Sequence, residues 1–108
     1  MTIKITENES EMTIEFMGEI DHHSAKKVLT QIDLYLQKKL PPKTIFDFSQ
    51  VTFMDSSGIA IVLKGYKVTK EYDGIFHVIN VPSQAFKVMK AAGLNRIINI
   101  LTTEEATA

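Results

Sequence analysis

Apolar and polar residues alternate one by one near the start of the chain. Residues 3–5 and 12–16 both carry isoleucine, methionine or phenylalanine at every second position. Alternation with a period of two predicts two half-buried strands, and the polar segment 7–10 between them predicts a hairpin turn. We expect Gly18 to end the second strand.

From residue 24 to 40, apolar residues recur at intervals of three and four instead of two, which predicts the first helix. Pro41 and Pro42 end it, because proline cannot continue a helix and disfavours a helical residue before it. The same spacing predicts a second helix over 59–72. A third helix is predicted over 82–93, with its last residue, a glycine, as the C-terminal cap.

Short apolar stretches at 44–48, 75–79 and 97–100 separate or follow these helices. We expect 44–48 to be a strand covered on both faces, because it is nearly all apolar. Alternating helices and strands imply parallel pairing with right-handed crossovers. The sequence therefore predicts one α/β domain over 1–108, a small mixed sheet covered by helices in which an N-terminal antiparallel pair precedes the parallel strands. After 102, we expect either one helical turn or a frayed end.

Composition narrows the functional class. Apolar residues make up 44% of the 108 residues, charged residues 23%, and the net charge is −1, so no basic face is expected for a nucleic acid. The absence of cysteine excludes disulfides, thiolate catalysis and cysteine-ligated zinc. No apolar stretch is long enough to span a bilayer or to serve as a signal peptide. We expect a cytoplasmic protein without a membrane partner.

Asp55, Ser56, Ser57 and Gly58 form the most informative stretch, where a strand is predicted to meet a helix. Helix capping by the aspartate or a serine is the simplest interpretation. However, two hydroxyls and a glycine exceed what a cap needs, and α/β sheets usually place their sites at the carboxyl ends of strands. The amides of the helix start could also steady a phosphate. The hypothesis is therefore a switch based on a phosphorylated serine.

The segment 18–24 lies at the corresponding position before the first helix. Asp21 or Ser24 is a plausible N-cap, and a surface recognition loop is the better functional interpretation. Because adjacent side chains point apart, His22 and His23 do not predict a metal site. We expect His77, in a predicted strand, to be a packing residue.

Catalytic motifs are missing from the sequence. Gly-x-Ser-x-Gly is absent, and no histidine is tied to a serine as its base. Neither Gly-x-Gly-x-x-Gly nor the Walker pattern occurs. We therefore expect a protein that is not an enzyme, binds no cofactor, and receives its phosphate from a separate kinase.

The chain resembles the STAS-domain anti-sigma factor antagonists. The likeness runs over about 3–101, and its acidic-His-His loop together with a stand-alone length favours the sporulation type, which controls the forespore sigma factor. The matching stretches are 18–23, 51–58, 65–67 and 92–94.

This resemblance implies a mechanism. The family's phosphorylated serine corresponds to Ser57, an anti-sigma factor that is also a serine kinase modifies it, and a PP2C-type phosphatase removes the phosphate. The unmodified antagonist binds the anti-sigma factor and releases the sigma factor. We expect the phosphate to act by direct repulsion and steric exclusion, without a change of fold. The candidate partner-binding residues are Glu19, Asp21, His22, Ser24, Asp55, Ser56, Gly58 and Ile59.

Two other classes of function stay open on the sequence. An accessory STAS subunit of a lipid or solute transporter ATPase could use the same loops to hold its partner. A hydrolase is a more distant alternative, and turnover by the isolated chain would reveal it.

Overall fold

A computed structural model describes residues 1–107 of the chain. Within this range, strands and helices follow one another in the predicted order, with one short 3-10 helix in addition. The elements are β1 (Thr2–Glu7), β2 (Glu11–Ile20), α1 (His22–Lys39), β3 (Lys43–Met54), α2 (Ser57–Glu71), β4 (Ile75–Val81), α3 (Ser83–Ala91), a 3-10 helix (Leu94–Arg96), β5 (Asn99–Thr102) and α4 (Thr103–Thr107).

The strands form one sheet in the order β1-β2-β3-β4-β5. β1 pairs antiparallel with β2, and each of the following pairs is parallel. The predicted mixed sheet is therefore confirmed. Each parallel crossover moves to the next strand in the same direction, so right-handed connections place α1, α2 and α3 on one face of the sheet.

Phenylalanine rings fill the centre of the face that the helices cover. Phe46 contacts Phe16 and Phe76 edge to face, with ring centroids 5.0 and 4.8 Å apart, and Phe48 lies 5.1 Å from Phe16. Gly65 lets α2 lie directly on these rings, because a Cβ there would come within 2.5 Å of the Phe46 ring. The sheet and α2 thus pack through a large aromatic cluster opposite a residue without a side chain.

The opposite face of the sheet is only partly covered, and the expectation that 44–48 is covered on both faces is wrong. Thr44, Phe46 and Phe48 are buried, whereas Ile45 and Asp47 between them are only half-buried. The reason is that all the crossovers run in the same direction. They place α1, α2 and α3 on one face of the sheet, and none of these three helices covers the other face.

Several boundaries differ from those predicted. β2 continues past Gly18, which takes a φ of +94° beside a register shift instead of ending the strand. β3 runs on to Met54 instead of stopping at residue 48. Ile97 lies outside the last strand, after the unpredicted 3-10 helix. Gly93 does lie at the end of α3 in the left-handed region, with a φ of +77°, as expected of a C-terminal glycine.

β4 accompanies β3 only along the first part of its length. The last register pair is Asp47 with Ile79. The next residue of β4, Asn80, has a φ of +55°, and its side-chain amide donates to the Asp47 carboxylate at 3.2 Å. The same carboxylate oxygen accepts the Ser49 N–H at 2.9 Å. The final residues of β3 therefore have a strand neighbour on the β2 side alone.

Candidate functional site

The two predicted recognition loops lie side by side at the carboxyl ends of β2 and β3. Glu19 pairs in register with Phe53, and Ile20 with Met54. The Asp55 N–H then donates to the Ile20 carbonyl at 3.0 Å, which ties the start of the serine turn to the end of β2. Parallel neighbours end at the same edge of the sheet, so the fold places the two loops together as the sequence predicts.

The serine turn is fixed by its aspartate. The Asp55 carboxylate accepts the Ser57 N–H at 2.8 Å, and the Asp55 carbonyl accepts the Gly58 N–H at 3.1 Å. Ser56 is the N-cap residue by position, yet its side chain makes no capping hydrogen bond. Within residues 1–107, neither serine hydroxyl of this turn has a hydrogen-bond partner. Both hydroxyls are therefore chemically available.

The first amides of α2 already have acceptors. Besides the Ser57 and Gly58 amides, the Ile59 N–H donates to the Ser56 carbonyl at 3.1 Å. The expectation that these amides steady a phosphate stays a prediction, and it requires that the phosphate displace the Asp55 carboxylate from the Ser57 N–H. The negative charge of Asp55 also repels a phosphate on the neighbouring serine.

Exposure separates the residues of this turn. Ser56 is exposed, Ser57 and Ile59 are half-buried, and Gly58 is buried. A Cβ on Gly58 would overlap Cγ and Sδ of the buried Met54 side chain. Gly58 therefore has a packing role: it lets the start of α2 approach β3, and it offers little surface for a partner.

The loop before α1 is closed by its own residues. The Asp21 carboxylate accepts both the Ser24 N–H at 3.0 Å and the Ser24 hydroxyl at 2.9 Å. These bonds, first of all that from the Ser24 hydroxyl, lower the pKa of Asp21 below its ordinary value of 3.8. The capping interpretation of Asp21 is confirmed. Glu19 and His22 are exposed on either side of this cap.

Gln84 is part of the site, although nothing in the local sequence indicates it. From the first turn of α3, its side-chain amide donates to the Met54 carbonyl and accepts the Met54 N–H, both at 2.8 Å. These two bonds take the place of the β4 strand that has turned away from β3. Thirty residues separate the partners, so only the fold brings them together.

A groove runs beside the serine turn between the start of α2 and α3. Its volume is about 560 Å³, and its lining is mostly apolar with a single charged side chain, Lys87. Phe53, at the end of β3, is 44% exposed, is not among the residues that line the groove, and was not selected from the sequence. The groove is lined by Ser56, Ile59, Gln84, Lys87, Val88, Ala91 and Ala92.

The histidines do not assemble a metal centre in the described part of the chain, where no group of three histidine, cysteine, aspartate or glutamate residues could hold an ion. His77 is half-buried in β4, and burial, followed by the charge of Lys43, lowers the pKa of its imidazole. This placement agrees with a packing residue. Among residues 1–107, no helix has the length and apolar character needed to cross a membrane.

Comparison with known proteins points to the same family as the sequence motifs. The chain is 26% identical over 104 residues to the anti-sigma F factor antagonist of Paenibacillus polymyxa, an alignment that covers 96% of this chain and 89% of that protein. The solved structure of the anti-sigma factor antagonist SpoIIAA in its unphosphorylated form superimposes with a TM-score of 0.80 at 25% identity, over 98% of this chain and 93% of that chain.

A second solved structure represents the other state of the same relative. The Bacillus cell fate determinant SpoIIAA in the phosphorylated form matches with a TM-score of 0.73 at 25% identity, over 98% of this chain and 96% of that chain. The STAS domain family model matches residues 2–107. The resemblance found in the sequence is thereby confirmed, and the chain belongs to the STAS domain family.

Proposed function

We propose that this chain is an anti-sigma factor antagonist whose binding is switched off by phosphorylation of Ser57. In its unmodified form it binds an anti-sigma factor and thereby releases a sigma factor. The relatives named above support the class of function, since they carry the same role in their names and cover nearly the whole chain. Acting on a sigma factor implies that the protein works in the cytoplasm.

One observation carries the choice of Ser57. Its backbone N–H is held by the Asp55 carboxylate at 2.8 Å, while its hydroxyl makes no hydrogen bond within residues 1–107. A kinase transfers phosphate to a hydroxyl that is not engaged elsewhere, and a fixed main chain keeps that hydroxyl in one position. Ser57 meets both conditions, and its neighbour Ser56 lines the groove between α2 and α3.

The enzymes of the cycle come from outside the chain. The sequence has no phosphate-binding loop, so a partner must supply ATP and catalysis. The anti-sigma factor is the proposed serine kinase, and a PP2C-type phosphatase restores the unmodified state. The chain itself acts as a binding module without a cofactor.

Electrostatic repulsion is a sufficient switch. A phosphate adds about −1.5 to −2 charges at neutral pH. At a distance of about 6 Å and an effective dielectric constant of about 20, each pair of like charges costs about 3 kcal/mol. This corresponds to a loss of affinity of about 100-fold. Resemblance of this chain to both the unphosphorylated and phosphorylated forms of SpoIIAA supports a scaffold that stays the same.

The candidate residues divide into contacts and supports. Exposed Glu19, His22 and Ser56 and half-buried Ile59 are the proposed contacts with the anti-sigma factor, and the apolar groove extends their surface. The supporting residues hold the two loops in shape, and they are Asp21, Ser24, Asp55 and Gly58.

Phosphorylation by purified anti-sigma kinases with ATP, followed by mass spectrometry, tests the assignment. We expect one phosphate on the wild type and none on Ser57→Ala, which should still bind the anti-sigma factor. Ser57→Asp should bind about tenfold or more weakly, because its charge is smaller than that of a phosphate but lies in the same place. Ser56→Ala is the matched control and should be modified normally.

Stoichiometric phosphorylation of Ser57→Ala would show that the site is wrong. Failure of the unmodified chain to bind any anti-sigma factor would contradict the function itself. The transporter-accessory alternative receives no support from the relatives reported above, which are named as anti-sigma factor antagonists.

A further inference from the structure

We propose that Gln84 is a positioning residue for Ser57: its side-chain amide ties α3 to the end of β3 and thereby fixes the turn that presents the serine hydroxyl. The proposal rests on the proposed function in that Ser57 is taken as the phosphoacceptor. It makes α3, which lies almost thirty residues further along the chain, a structural part of the switch.

The end of β3 needs such a support. β4 leaves β3 after the pair of Asp47 and Ile79, and the left-handed Asn80 directs it away. From there on, the groups of β3 that point away from β2 have no strand to bond with. The amide hydrogens of an unpaired strand end exchange with water faster than those of a paired one, and its backbone moves more easily.

Gln84 supplies what the missing strand would have supplied. Its Nε2 donates to the Met54 carbonyl and its Oε1 accepts the Met54 N–H, each at 2.8 Å. A primary amide carries a donor and an acceptor side by side, so it can satisfy both groups of one residue. Gln84 is itself exposed on α3, so its position is explained by these two hydrogen bonds and not by burial in the core.

Met54 passes this constraint on to the serine turn. It directly precedes Asp55, whose carboxylate holds the Ser57 N–H. Its side chain lies under Gly58 at the start of α2. Gln84 thus holds the main chain of Met54 while the start of α2 packs on the Met54 side chain, so the turn that carries Ser57 is anchored on both sides.

Gln84 also lines the groove beside Ser56, so it could instead act only as a contact for a partner. The two roles differ in the free protein. A positioning role requires that the turn loosen when Gln84 is changed, with no partner present. A pure contact role leaves the free turn as it is.

Amide hydrogen exchange of the free protein, followed by NMR, tests the positioning role. In Gln84→Ala and Gln84→Glu we expect the Met54 and Ser57 amides to exchange about tenfold faster, as for the loss of one ordinary hydrogen bond. Glutamate keeps the length and helix propensity of glutamine but places a carboxylate against the Met54 carbonyl. The Phe46 amide, in the centre of β3, reports global unfolding and should quicken by no more than the same factor, because the lost bonds stabilise the native state against the unfolded chain as well. Lys90→Ala, an exposed change on the same helix, is the control.

Steady-state phosphorylation by an anti-sigma kinase that modifies the wild type completes the test. We expect kcat/KM to fall about tenfold in both Gln84 variants, because a misplaced nucleophile reacts more slowly, and to stay unchanged in Lys90→Ala. Met54 and Ser57 exchange rates within twofold of the wild type would overturn the proposal, and so would faster exchange with an unchanged kcat/KM. A wild type that no anti-sigma kinase modifies would count against the proposed function, whereas the exchange rates would still decide whether Gln84 holds the turn.

Discussion

Two helices of this protein begin at neighbouring strand ends with an aspartate and a serine, and they use these residues differently. In α1, Asp21 is the N-cap, and its carboxylate binds both the amide and the hydroxyl of Ser24. In α2, Asp55 lies one residue before the N-cap, and its carboxylate binds only the amide of Ser57. The serine hydroxyl is engaged in the first turn and free in the second.

The spacing of the two residues accounts for this difference. A serine three residues after the aspartate reaches back to the carboxylate with its side chain, as in a capping interaction. A serine two residues after it forms an Asx-type turn through its amide, and the hydroxyl points elsewhere. Identical residue types thus give a closed structural cap at one strand end and a free nucleophile at the next.

Packing beneath the two turns should give the largest measurable contrast. We expect Gly58→Ala to lower the free energy of unfolding by about 1–3 kcal/mol, because its methyl group overlaps the Met54 side chain. Urea unfolding measures this loss. Ala25, buried in the first turn of α1, is the matched position and accepts a Cβ. Ala25→Gly should cost about 1 kcal/mol through the flexibility of glycine. A Gly58→Ala variant as stable as the wild type would show that the start of α2 is not tightly packed.

Removing each hydroxyl in turn tests the comparison itself. Ser24→Ala should lower the free energy of unfolding by about 0.5–1.5 kcal/mol, because it breaks a side-chain hydrogen bond to Asp21. Ser57→Ala should change it by less than about 0.5 kcal/mol, since that hydroxyl has no partner within residues 1–107. Urea unfolding of the two variants under one condition gives both values. Equal losses in the two variants would mean that the Ser57 hydroxyl is engaged after all.

Much of this architecture could be predicted from the sequence because it depends on local patterns. Period-two alternation located β1 and most of β2, and helical spacing located the three longer helices. The turn at Asp55 could be selected because an aspartate, two serines and a glycine follow a strand. Its relation to the loop at Asp21 followed from the rule that parallel strands end at one edge of a sheet.

The remaining features depend on contacts between distant residues. Gln84 is one polar residue among several at the start of α3, and only the departure of β4 gives it a partner in Met54. The partly open face of the sheet reflects the common direction of the crossovers, which an apolar stretch such as 44–48 does not encode. Whether the serine hydroxyl is engaged, as in Ser24, or free, as in Ser57, depends on a one-residue shift of the helix start relative to its aspartate.

Titration of the closed cap gives the smallest effect, since Asp21 is only half-buried and solvent screens its charge. Its pKa lies below the ordinary value of 3.8, with the Ser24 hydroxyl as the main cause. A carboxyl group with a lowered pKa in the folded state stabilises the protein above about pH 4, and this contribution is lost as the pH falls through the folded pKa. The stability advantage of the wild type over Asp21→Asn should therefore shrink in acid, as measured by urea unfolding at several pH values.

The cause of this shift can be tested separately from its effect on stability. NMR titration of the Asp21 carboxyl carbon should give a pKa below 3.8 in the wild type and a value closer to 3.8 in Ser24→Ala. Ser57→Ala is the matched control at the other strand end and should leave the pKa of Asp21 where it is. If Ser24→Ala leaves the pKa of Asp21 unmoved, the hydroxyl of Ser24 does not close the cap, and the contrast between an engaged and a free serine loses its electrostatic basis.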